Sequence, residues 1–163
     1  MRQYVLILVY AGNDEIQELV IRRVGNAGLW ILPNVAISWH TKQEMERRML
    51  SVKEELISIM ERGFEGEFAY AIIELNDEQF RAMRSLVVRK LESDCQGMIT
   101  WGESLLRRIR SRGGERIKRE YERFERKYRE LVTVHEVFDV RSELLNKVMD
   151  LARELRAEYE RKL

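Results

Sequence analysis

Tyr4-Val5-Leu6-Ile7-Leu8-Val9-Tyr10 is the stretch on which the fold turns. Every residue in it is aliphatic or aromatic. A β-strand that is apolar at odd and even positions alike is covered on both faces, so the pattern predicts an interior strand of a sheet. The run is far shorter than the ~20 residues a membrane helix needs. It also makes a poor signal sequence, because the polar Gly12-Asn13-Asp14 follows where small cleavage-site residues belong.

Gly12 and Asn13 end the strand, and a helix is predicted from about Asp14 with Asn13 or Asp14 as its cap. Ile16, Leu19, Val20, Val24 and Ala27 fall at steps of three and four, one apolar stripe. Asn26-Ala27-Gly28 closes this helix, with Gly28 assigned the left-handed closing position. Leu29 to Leu32 and Val35 to Trp39 read as two short strands about a Pro33-Asn34 turn, or as one edge strand with Pro33 at a bulge. Trp30 is expected in the core. Thr41 and Glu44 have capping-box spacing and open a second helix. Its inner face is Met45, Met49, Val52, Leu56, Ile59 and Met60, and Gly63 and Gly66 end it. Phe68 to Leu75 is a further strand. The order strand, helix, strand, strand, helix, strand predicts an α+β fold: a ferredoxin-like four-stranded antiparallel sheet with two helices over residues 1–75.

After Asn76 the apolar period lengthens to that of a helix, and residues 76–163 are predicted to be an all-helical extension. Asn76 and Gln79 form one capping box. Phe80, Met83, Val87 and Leu91 make a stripe running towards Cys95. Thr100-Trp101-Gly102-Glu103 reads as a further helix start before Leu105, Leu106 and Ile109. Gly113-Gly114 interrupts the pattern. Ile117, Tyr121, Phe124, Tyr128 and Leu131 then form a heptad-like seam. Val132 to Phe138 is read as a short extended link, and a last helix starts near Ser142 with Leu145, Val148, Ala152, Leu155 and Tyr159 inward. The seam is met either by the last helix or by a second copy of the chain. The former is the simpler arrangement.

Charged residues make up 35% of the 163 residues, yet the net charge is only +1. Dense mixed charge of this kind is compatible with a thermophile. Between Leu105 and Arg129 eleven basic residues meet four acidic ones, a local +7, which leaves −6 for the rest. Arg107, Arg108, Arg110, Arg112, Arg116 and Arg119 are therefore the candidate anion-binding residues, because guanidinium forks suit phosphate and other oxyanions. The competing reading is a solvated face in which Arg116 pairs with Glu120, Arg119 with Glu122 and Glu122 with Arg126 along one helix.

Other chemistry is sparse. His40 precedes a helix and His135 sits beside Glu136, and their spacing matches no metal box. No cofactor and no metal are expected. Cys95 follows Asp94, a neighbour that raises rather than lowers a thiol pKa, and it becomes a nucleophile only if the fold brings His40 or His135 to it. Gly12-Asn13-Asp14 lacks the glycine spacing of a phosphate loop. With no base–nucleophile–orienter set in view, an enzyme ranks last among the readings. A single cysteine and no membrane span point to a reducing, cytoplasmic setting.

Several local phrases resemble the N-terminal domain of the chromate-resistance protein B (ChrB) family. They are the opening strand Tyr4 to Tyr10, the Arg22-Arg23 helix ending at Gly28, and Trp30-Ile31-Leu32-Pro33. The basic helix Arg123 to Leu131, followed by Val134-His135-Glu136-Val137-Phe138-Asp139, adds to them. The resemblance covers most of the chain and implies a regulatory or oxyanion-sensing role. The second, C-terminal domain of longer family members has no counterpart here. The front half also resembles the ferredoxin-like module of the phenylacetate-pathway repressor and of the small CRISPR spacer-acquisition protein. The latter carries an Asp directly after its first strand, where this chain has Ala11. The expectation is a regulatory or binding protein whose Arg-rich face meets nucleic acid or a small oxyanion. The alternative is a homodimeric interaction module without ligand chemistry.

Overall fold

A computed structural model describes residues 2–61, 63 and 66–162. It is α+β and mostly helical, with one four-stranded antiparallel sheet. The described residues form two compact units, Met1–Leu86 and Val87–Leu163.

In the first unit the elements are β1 (Tyr4–Ala11), α1 (Asp14–Val24), β2 (Gly28–Leu32), β3 (Val35–Ser38), α2 (Lys42–Met60) and β4 (Phe68–Leu75). The strands lie in the order β2-β3-β1-β4, so β1 is interior. Its residues alternate in depth. Val5, Ile7 and Val9 join the core with Ile16, Leu19 and Val20 of α1 and Met45, Met49 and Val52 of α2. The other sheet face is only partly covered: Leu8, Tyr10 and Ile73 are 36%, 58% and 43% exposed. Asn13 caps α1, its Oδ1 accepting from the Ile16 amide at 2.9 Å. Thr41 caps α2 through the Glu44 amide at 3.1 Å. The left-handed residue after α1 is Gly25 (φ 55°), not Gly28, which is extended and opens β2. The chain makes the sharp turn three residues earlier because a 3-10 turn, Gly25–Ala27, intervenes and buries Ala27. Arg48 of α2 closes that end by donating to the carbonyls of Arg23 and Val24. Pro33 and Asn34 form the turn between two separate strands. Trp30 is half-buried against the core, and its indole N–H has no partner among the described residues. α2 ends at Met60, just before the expected terminator Gly63, whose φ of 90° lies in the left-handed region.

α3 (Asp77–Ser111) begins in the first unit, with Asn76 and Gln79 exchanging both capping-box hydrogen bonds at 2.9 and 2.8 Å. The second unit holds the rest of α3 together with α4 (Glu115–Val137) and α5 (Glu143–Lys162), the last opened by Ser142. Two expectations fail here. No helix starts at Thr100, because Gly102 lies buried inside α3, where a Cβ would stand 2.5 Å from Leu151 Cδ2 and 3.1 Å from Phe124 Cε2. It is a close-approach glycine, not a break. Nor is Val132 to Phe138 extended. α4 continues to Val137, because His135, Val137 and Phe138 keep the buried stripe going. The seam residues Ile117, Tyr121, Phe124 and Leu131 are buried within the unit, and Tyr121 stacks on Tyr159 of α5 with ring centroids 4.0 Å apart.

Candidate anion-binding face

The six candidate arginines flank the α3–α4 connection and fall into two groups. Arg108 and Arg110 are occupied. Arg108 grips Glu120 with both ends of its guanidinium, and Glu120 also accepts from the Trp101 indole at 3.0 Å. The Arg108 hydrogen bonds, helped by that of Trp101 and opposed by burial, hold the Glu120 carboxyl down at about 2. Arg110 reaches two acids of α5, Glu154 at 2.7 Å and Glu158 at 3.7 Å. Arg107, Arg112, Arg116 and Arg119 are exposed and form no ion pair among the described residues. The expected pairs Arg116–Glu120, Arg119–Glu122 and Glu122–Arg126 do not form. Glu120 turns across to α3, where a fork and an indole N–H outbid one flexible Arg on its own helix.

Between these arginines, Gly113 and Gly114 connect the two helices. Gly114 is the N-cap of α4, with φ 136°, and supplies no side-chain acceptor. The first amides of α4 therefore receive no side-chain cap hydrogen bond at the positive end of the helix dipole, which Glu115 in the first turn offsets. Arg123 is drawn aside, its guanidinium carbon 5.4 Å from the centre of the Trp101 ring. The far side of α3's end is closed by Lys162, which donates to the Arg110 carbonyl at 2.9 Å.

Two other arrangements bear on chemistry. Cys95 and His135, forty positions apart in sequence, meet in the core of the second unit with Sγ and Nε2 at 3.7 Å. The Leu131 carbonyl lies 2.7 Å from Nδ1 and can only accept, so Nδ1 carries a hydrogen. Both side chains are buried, and burial, with Asp94 and Glu92 adding to it, pushes the Cys95 thiol up to about 11. The pair is a thiol–imidazole contact buried within the second unit. Glu136 points out to solvent. In the first unit His40 lines an open groove of about 820 Å³ with Trp39, Lys42, Glu46, Arg47 and Glu74. Its charges are of both signs, and Arg47 is already forked onto Glu44. Among the described residues no group of three or more metal-ligating side chains occurs, and no helix is long and apolar enough to cross a membrane.

No family model, curated protein or solved structure matches the chain.

Proposed function

We propose that the chain is a binding protein whose α3–α4 tip holds the phosphate backbone of a nucleic acid. The observation that carries this reading is that, among the described residues, Arg107, Arg112, Arg116 and Arg119 lack carboxylate partners beside the start of α4, whose N-cap is a glycine. Such groups offer unspent positive charge to an extended polyanion. A small oxyanion is the weaker fit, since it needs donors converging in a desolvated cavity, and these four side chains are exposed. We read the first unit as ferredoxin-like, supported by its β-α-β-β-α-β order and the strand order β2-β3-β1-β4. The ChrB resemblance then makes the natural role regulatory, in the cytoplasm.

The test is binding of the full chain to a labelled duplex across a salt series. Affinity should fall linearly on a log–log plot, and R112Q/R116Q/R119Q should lower the slope by roughly one for each phosphate contact removed. A flat salt response, or no binding at about 50 mM salt, removes the proposal. Stoichiometric binding of phosphate or chromate that the same triple variant loses would assign the tip to a small oxyanion instead.

A further inference from the structure

We propose that the outer edge of β4 pairs with β4 of a second copy of this chain. The two edges of the sheet differ in kind. β2 has five residues, and its pairing with β3 slips between Trp30 and Leu32. Short, irregular strands are how proteins blunt an edge. β4 is eight residues long and runs in unbroken register against β1, from Tyr4 opposite Leu75 to Ala11 opposite Phe68. It carries no proline and no basic residue, and its one charge is Glu74. Among the described residues, no backbone group of β4 bonds to a backbone group beyond its pairing with β1. Its outer amides and carbonyls stand ready for another strand.

Charge identifies that strand as β4 itself. Tyr70, Ile72 and Glu74 lie opposite Val9, Ile7 and Val5, so they share the helix-covered face. There Lys53 of α2 stands over the Tyr70 ring, Nζ 5.1 Å from its centre, with no ion pair among the described residues. The Tyr70 hydroxyl donates to Glu46 at 3.0 Å, so one carboxylate already approaches this spot from α2. Glu74 likewise has no ion pair among the described residues. Facing residues of an antiparallel pair share a face. A two-fold axis through Ile72 therefore keeps the helices of both copies on one side and sets Glu74 opposite Tyr70 of the second copy. Each Glu74 then lies beside the other copy's Lys53, twice by symmetry. On the open face the same register sets Ala71 opposite Ile73, prolonging the exposed strip of Leu8, Tyr10 and Ile73 across the junction.

Sedimentation equilibrium of the full chain over a concentration series decides the matter, with K53E, E74K and the double swap K53E/E74K. All the substituted side chains are exposed, so the fold tolerates them. The expected result is a dimer whose dissociation constant rises about tenfold in each single variant and returns in the double swap. Ile73→Lys on the open face should also dissociate it. A monomer at every concentration, or a dimer whose constant none of these variants moves, overturns the proposal.

Discussion

Glu120 has three donors, two from the Arg108 fork and one from Trp101, and its side chain is 16% exposed. Its carboxyl sits at about 2 instead of the usual 4.5. A depressed folded pKa means the charged form is favoured by folding. The contribution is complete above the unfolded value and is lost as pH falls towards the folded one. Glu120→Gln should therefore cost about 1 kcal/mol at neutral pH, a melting temperature lower by about 2–4 °C. The gap between the two proteins should close as melts are repeated from pH 5 down to about 2. Arg110→Gln, whose partners include the exposed Glu154, should stay within about 0.5 kcal/mol of the parent. Cys95 gives the opposite sign. Its thiol, pushed up to about 11 by burial and the nearby acids, should resist a maleimide at pH 8 and react fully once guanidinium unfolds the chain. Rapid labelling of native protein would show that the site opens.

α3 sets two glycines five residues apart in opposite surroundings. Gly97 is exposed, and a Cβ there meets nothing within 4 Å. Gly97→Ala should raise stability by up to about 1 kcal/mol, the difference in helix propensity. At Gly102 an added Cβ would stand 3.0 Å from Leu151 Cγ and 3.1 Å from Phe124 Cε2, both buried, so Gly102→Ala should cost about 1–3 kcal/mol despite the same propensity gain. Thermal melts that ranked the two variants equally would contradict the packing. The same pair explains what could be read from the chain at this scale. Period and caps are local, so β1, the Asn13, Thr41 and Asn76 caps, the Pro33-Asn34 turn and the Gly113-Gly114 break were all legible. Gly102 and the continuation of α4 past Val132 were not, because each depends on which side chains another helix presents. The Thr100–Glu103 spacing imitates a cap only where the preceding turn is free to end.

Charge asymmetry was legible for the whole molecule by counting. Residues 87–163 hold nineteen basic and fifteen acidic side chains, net +4, against −3 for residues 1–86. Which arginines are spare was not legible. It depends on Glu120 choosing α3 and on Glu154 and Glu158 reaching Arg110 from forty or more positions away. The two levels make different forecasts. If attraction to nucleic acid came from overall charge, any three cations would count equally. If it comes from the tip of the second unit, position decides. R112Q/R116Q/R119Q and R22Q/K42Q/R81Q remove the same three charges, and every residue in both sets is exposed and without an ion pair among the described residues. The first set should bring elution from a heparin column to distinctly lower salt and flatten the salt slope for duplex binding. The second should leave both nearly unchanged. Equal losses from the two sets would mean that the spare guanidinium groups act only through the net charge, and the α3–α4 tip would be no binding face.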